Sequence, residues 1–191
     1  MNSNNKEIEV RFLDINKPAL VGKLEALGAI DNGEELISEI AFYDKELTWM
    51  NKELKVLRLR KSKGAVQLAF KHHHAMVADG TKEIEVEVSD FDKTREILEI
   101  IGLVPYRQVE KKRHTFEFGE VTIDFDTWPT VPTLVELEGE SEDSLKDVAQ
   151  KLGLPWETAV FEPSIIYLRT RYNIPIEKVR VFTFSEIKIE P

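Results

Sequence analysis

Polar and apolar residues alternate with a period of two along most of this chain, beginning at Glu7-Ile8-Glu9-Val10-Arg11-Phe12. As a β-strand, this stretch puts Glu7, Glu9 and Arg11 on one face and Ile8, Val10 and Phe12 on the other. The same alternation predicts more strands. Residues 56–60 set Arg58 and Arg60 against Leu57 and Leu59, and 83–88 set Glu83, Glu85 and Glu87 against Ile84, Val86 and Val88. Lys111 and Arg113 share a face in 109–115, Asp124 and Asp126 in 121–126, and Glu136 and Glu138 in 135–138. Between these stretches the apolar spacing widens to that of helices. Asn16 can cap a helix carrying Pro18, Leu20, Val21, Leu24 and Leu27, with Gly28 as its stop. Asp90 or Asp92 starts a second that ends at Gly102, and Ser141 starts a third that ends at Gly153. A fourth is expected from about Pro163 to Tyr172. Strands outnumber helices and hairpin-length gaps separate many of them, which predicts an α+β fold on an antiparallel sheet.

The charged faces are sorted by sign. Several strands present only carboxylates and two present only cations, whereas solvated sheet faces usually mix the two. Divalent cations would balance the carboxylates, and a polyanion would balance the Arg and Lys. The amphipathic helices can cover the apolar strand faces from outside. The charged faces would then line the lumen of a closed or nearly closed sheet, the inverse of a small barrel filled with apolar side chains.

Composition narrows the function. The chain has 191 residues, 42% of them hydrophobic, which suits a folded domain with a real core. Its net charge of −9 argues against a general nucleic-acid surface but leaves room for a local basic pocket. Without cysteine, disulfides, thiolate catalysis and Cys-ligated zinc are excluded. The polar start, Met1 to Lys6, does not read as a signal peptide, and no apolar run reaches membrane-spanning length. The expectation is a cytoplasmic protein without a membrane partner.

These residues resemble the CYTH superfamily, also called the triphosphate tunnel metalloenzymes. Its opening Glu-x-Glu-x-Lys is filled by Glu7, Glu9 and Arg11, with Arg in place of Lys. Leu57-Arg58-Leu59-Arg60 looks like its paired-Arg strand, Ala69-Phe70-Lys71 like the next, and Lys82-Glu83-Ile84-Glu85 like its acidic strand. Lys111 with Arg113, Asp124 with Asp126, and Glu136 with Glu138 follow in the family's order. The resemblance covers about 6–172 of a single domain spanning 1–191, leaving 173–191 as a C-terminal extension.

The resemblance implies an eight-stranded antiparallel tunnel that binds a triphosphate lengthwise with Mg²⁺ or Mn²⁺, two ions being expected. Members hydrolyse tripolyphosphate, nucleoside triphosphates or thiamine triphosphate, or cyclise ATP. Phosphoryl transfer relies on positioning and charge neutralisation, so Arg58, Arg60, Lys71, Lys111 and Arg113 are expected on the phosphates. Glu85 is expected beside them. Glu7, Glu9, Asp124, Asp126, Glu136 and Glu138 are the expected metal ligands, as oxygen donors for hard cations. Catalytic roles fall to Glu9, Glu136 and Arg11. Arg11 stays charged where a Lys could lose its proton, so it bears on turnover rather than binding.

Three consecutive histidines, His72 to His74, cannot all face one ion on a strand and read as a strand end and loop. His114 has the wrong parity for the lumen, and Trp49, Trp128 and Trp156 read as packing residues. The leading function is a metal-dependent triphosphatase. The alternatives are a class IV adenylate cyclase and a non-catalytic polyphosphate or nucleotide sensor; a homodimer is compatible with all three.

Overall fold

A computed structural model describes residues 6–190, and side chains from Ile8 onward. Its strands are β1 (Lys6–Glu7), β2 (Glu9–Phe12), β3 (Ile30–Tyr43), β4 (Lys55–Ser62), β5 (Ala65–His73) and β6 (Thr81–Val88). They continue with β7 (Val104–Phe118), β8 (Val121–Thr127), β9 (Leu134–Glu138), β10 (Val179–Phe182) and β11 (Ile187–Ile189). The main path runs β1-β6-β5-β4-β3-β7-β8-β9-β2 and is antiparallel throughout. Only Ile8 separates β1 from β2, so counting them as one gives the expected eight strands. Segment 6–12 therefore pairs with both ends of the path: Lys6 and Glu7 face Lys82 and Thr81, while 9–12 face 135–138. The result is a curled sheet whose two edges meet this one segment rather than each other. The C-terminal residues add β10, which pairs parallel to β7, and β11 beside it.

Four helices form where the spacing predicts: α1 (Lys17–Ala26), α2 (Phe91–Ile100), α3 (Glu142–Leu152) and α4 (Ser164–Tyr172). Asn16, Asp90 and Ser141 each accept a backbone N–H of the first turn, satisfying donors that have no partner within the helix. Gly153 ends α3 in the left-handed region at φ 72°, where a Cβ would be strained.

Leu20 and Leu24 of α1, with Leu145, Val148 and Leu152 of α3, pack on Val10, Phe12, Ile123, Phe125, Val135 and Leu137. Each such side chain contributes about 1.5–3 kcal/mol on full burial, and the outer face of β2, β8 and β9 is thereby fixed. Leu98 of α2 covers Phe42 and Leu59. The expected helical cover is incomplete, however. Ile84 and Val86 on the outer face of β6 remain 44% and 51% exposed. On the far side, Tyr167 and Leu168 of α4 join Leu134, Ile176, Val179 and Phe182.

Candidate active site

The inner face of the curled sheet encloses a cavity of about 380 Å³. Strand parity decides what lines it. Arg58 and Arg60 point in while Leu57 and Leu59 point out; Lys111 and Arg113 come from β7, and Glu136 and Glu138 from β9. Arg11, Lys71, Glu85 and Asp126 line it as well. Glu9 and Asp124 lie within ion-pair distance of these residues and are 3% and 4% exposed. The side chain of Glu7 falls outside the described residues. The other expected site residues are all gathered here.

Cations and carboxylates are interlocked across strands. The ladder sets Arg11 opposite Glu136 and Glu9 opposite Glu138. Arg11 reaches Glu9 through Nη2 at 2.6 Å and Glu136 through Nε at 2.6 Å, and donates to the Glu162 carbonyl at 3.3 Å. Arg113 grips Asp126 with two bonds of 2.7 Å, Asp124 at 2.6 Å and Glu136 at 3.1 Å. Lys111 holds Asp126 at 2.6 Å. Arg58 donates to Glu83 at 2.9 Å, Lys71 lies 3.0 Å from Glu83, and Arg60 bonds Glu85 at 2.6 Å and Gln67 at 2.8 Å. Glu136 and Glu138 have no cation on their own strand, but Glu136 draws two from its neighbours.

The titrations follow this pattern. Burial would raise the Glu9 carboxyl, but Arg11 and Lys71 outweigh it and hold it low. Glu136 is likewise buried, and Arg11 and Arg113 keep it well below the usual carboxylate range. Glu138 behaves oppositely: burial, with Glu136 and Glu9 nearby, lifts it to about 7. Burial and the neighbouring Arg113 lower Lys111.

Hard-cation chemistry fits one corner of this cavity. Glu9, Glu136 and Glu138 present oxygen donors from two adjacent strands, as magnesium and manganese prefer. Both Glu9 oxygens are buried without an aligned hydrogen bond, and Glu138, lifted first by burial and then by Glu136, is a carboxylate whose charge a cation would stabilise. Among the described residues no three Asp, Glu or His groups stand at metal-binding spacing, and Arg11 is paired with both Glu9 and Glu136. Asp124 and Asp126, expected as metal ligands, are engaged in this structure by Arg113, Lys111 and Thr115.

Several lining residues were not anticipated. Glu39, Glu83, Arg107 and Tyr167 all face the cavity. Glu83 shares parity with Glu85, and Arg107 with Lys111, so the strand pattern carried their signal. His73 also lines the cavity two residues beyond Lys71, bonded to Thr81 and pushed by burial to about 4. Trp128 lines it too, with its ring 5.6 Å from Lys111 Nζ, rather than serving packing alone. His114, as expected, turns away and meets Asp31.

The CYTH domain model matches residues 5–164. The chain belongs to the CYTH family. No curated protein matches it. Among solved structures it is similar to a protein of Pyrococcus horikoshii OT3, at 25% identity and a TM-score of 0.71, over 84% of this chain and 98% of that one. It is similar in fold to a candidate adenylate cyclase of Vibrio parahaemolyticus, at 18% identity and TM-score 0.76, covering 88% and 100%. A Hippeastrum protein described as an adenylyl cyclase candidate with dominant triphosphatase activity matches at 14% identity and TM-score 0.58, covering 90% and 98%. For this CYTH protein no described helix is long and apolar enough to cross a membrane.

Proposed function

We propose that this chain is a divalent-metal-dependent triphosphatase that holds a triphosphate along the inner face of its sheet. One observation carries the reading: Arg58, Arg60, Lys71, Lys111 and Arg113 face a single cavity with the carboxylates Glu136 and Glu138, and Glu9 lies behind them, paired with Arg11 and Lys71 of the lining. Arg58, Arg60 and Arg113 can each present paired N–H donors to phosphate oxygens, and Lys71 and Lys111 act as point charges. Glu83, Glu85, Asp124 and Asp126 hold those cations at the inner face, and an arriving phosphate exchanges with these carboxylates as their partner. Glu9, Glu136 and Glu138 would hold Mg²⁺ or Mn²⁺, which when bound neutralises phosphate charge and acidifies water. Arg11, fixed between Glu9 and Glu136, braces both carboxylates. The Hippeastrum relative's triphosphatase activity agrees with this assignment.

A second reading, a triphosphate-binding protein without turnover, is favoured by that same Arg11 contact, since it occupies two would-be metal ligands. Phosphate and cyclic AMP release would be assayed over tripolyphosphate, nucleoside triphosphates and thiamine triphosphate with Mg²⁺ and with Mn²⁺. Phosphate release supports the triphosphatase, tight binding without release the sensor, and cyclic AMP the cyclase.

A further inference from the structure

The lining of the cavity changes character along its length. On β3, Glu39 lies opposite Arg60 and Ala41 opposite Arg58. The next inward residues are Tyr43 on β3 and Val56 on β4, and from there the wall is mostly apolar, with Lys55 and Ser164 also in the lining. Met50, Ile165, Leu168 and Ile176 complete it. Met50 stands on a single π-turn (Trp49–Glu53) that folds over this end and packs with Tyr43 and Tyr106. Phosphate oxygens gain nothing from such a wall, whereas a planar organic ring does.

Arg107 stands within this apolar end, only 6% exposed and opposite Ala41 in the ladder. Its Nε donates to the Val179 carbonyl at 3.3 Å, its Nη2 lies 3.7 Å from the Met50 sulfur, and the Tyr43 side chain is beside it. Arg11, Arg58, Arg60, Lys71, Lys111 and Arg113 each have a carboxylate within 4.0 Å, whereas among the described residues Arg107 has none. A guanidinium has five N–H donors, and here they meet a carbonyl, a phenol and a thioether. Burying such a cation without a counter-charge is costly, and the cost is accounted for if a ligand supplies the acceptor.

We infer that this end is a subsite for the base of a nucleoside triphosphate, with Arg107 donating to an acceptor on its ring and Tyr43 and Met50 flanking it. The inference rests on the triphosphate reading above and narrows it. A thiazolium head, as in thiamine triphosphate, carries a positive charge that Arg107 repels. Inorganic tripolyphosphate has no ring to occupy the apolar wall.

The test compares kcat/KM for ATP, GTP, CTP and UTP, thiamine triphosphate and tripolyphosphate in the full chain and in Arg107→Gln and Arg107→Lys. At least one nucleoside triphosphate should exceed both other substrates by about tenfold or more in the parent protein. Arg107→Gln should reduce that ratio by about tenfold or more, mainly through KM, and Arg107→Lys should restore part of it. A purely structural Arg107 would lower every substrate alike, leaving the ratio unchanged, and that result overturns the inference. So does a parent protein that prefers tripolyphosphate or thiamine triphosphate, although the triphosphatase reading then survives. If the parent neither binds nor cleaves any triphosphate with Mg²⁺ or Mn²⁺, both fall together.

Discussion

Replacing Arg113 with Met keeps an apolar stem of similar length and removes one buried charge. The consequences can be traced bond by bond. Asp126 loses two bonds of 2.7 Å but keeps Lys111 at 2.6 Å, and Glu136 loses a contact of 3.1 Å but keeps Arg11 at 2.6 Å. Asp124 loses its cation at 2.6 Å and keeps only the Thr115 hydroxyl. One carboxylate is thus stranded and two are weakened. Breaking a buried pair costs about 3–5 kcal/mol, and the surviving partners place this variant near 3 kcal/mol, about 6–12 °C in Tm for a domain of this size.

The pH dependence gives a sharper check. Asp126 and Glu136 titrate below their ordinary values when folded, so the stability they confer is full above the unfolded carboxylate range and is lost as pH falls through the folded values. Asp124 is already raised by burial, against the pull of Arg113, and rises further in the variant. The deficit of Arg113→Met should therefore be largest near pH 7 and shrink below about pH 4, as the carboxylates protonate. Reversible urea unfolding from about pH 2 to 8, with unchanged m-values, measures it. A deficit independent of pH would mean that the side chain acts by packing, and the electrostatic reasoning would fail.

Arg58→Ala should weaken triphosphate binding by about 1.5–3 kcal/mol, the scale of hydrogen bonds to a charged group; calorimetry showing unchanged affinity would remove that strand from the phosphate path. Arg11→Lys should bind a triphosphate about as well and turn over within a few fold, because Arg11 acts here as a brace between Glu9 and Glu136. A large gain in turnover at alkaline pH with unchanged affinity would instead show that a proton-transfer group is missing. Glu138→Gln, measured in chelator, should raise stability at pH 8 by on the order of 1–3 kcal/mol and leave pH 4 nearly unchanged. The folded carboxyl titrates near 7, so its stability is present at low pH and lost as pH rises through that value. Equal Tm shifts at both pH values would refute the shift.

What the sequence made legible depended on contrast between strand faces. β4, β6, β7, β8 and β9 each set charge against apolar residues, so their parity and their site residues could be read directly. β3, with fourteen residues, carries no period-two signal because polar and apolar residues are mixed on both of its faces. Ile37, Ala41 and Tyr43 line the cavity while Ile40 and Phe42 pack outside. The π-turn at 49–53 is too short to show any period. Partner choice was hidden for a different reason. Arg11 meets Glu136 because β2 lies beside β9, and that adjacency belongs to strand order, which no local pattern encodes. The sorted signs predict ligands of both kinds, yet in the folded chain most of the two sets neutralise each other.

That mutual neutralisation has a thermodynamic consequence. A triphosphate that binds alone draws Arg58, Lys71, Lys111 and Arg113 from Glu83 and Asp126, leaving buried carboxylates short of cations. A divalent cation that binds alone draws Glu9 and Glu136 from Arg11 and crowds a buried guanidinium. Bound together, each replaces the charge that the other displaces. The two ligands should therefore bind cooperatively, each raising the other's affinity by one common factor, since linkage is reciprocal. Coupling of about 1–3 kcal/mol, or roughly 5–150-fold, is the usual scale. Imidotriphosphate, which resists hydrolysis, would be titrated calorimetrically with and without Mg²⁺, and Mg²⁺ with and without the analogue. Both titrations are corrected for the chelate formed in solution. Equal gains above that correction in both directions are the expected result, and Glu136→Gln, which removes one carboxylate shared by Arg11 and Arg113, should reduce them. Independent binding after correction would show that the interlocked charges stay closed when ligands arrive, and that the triphosphate is held elsewhere.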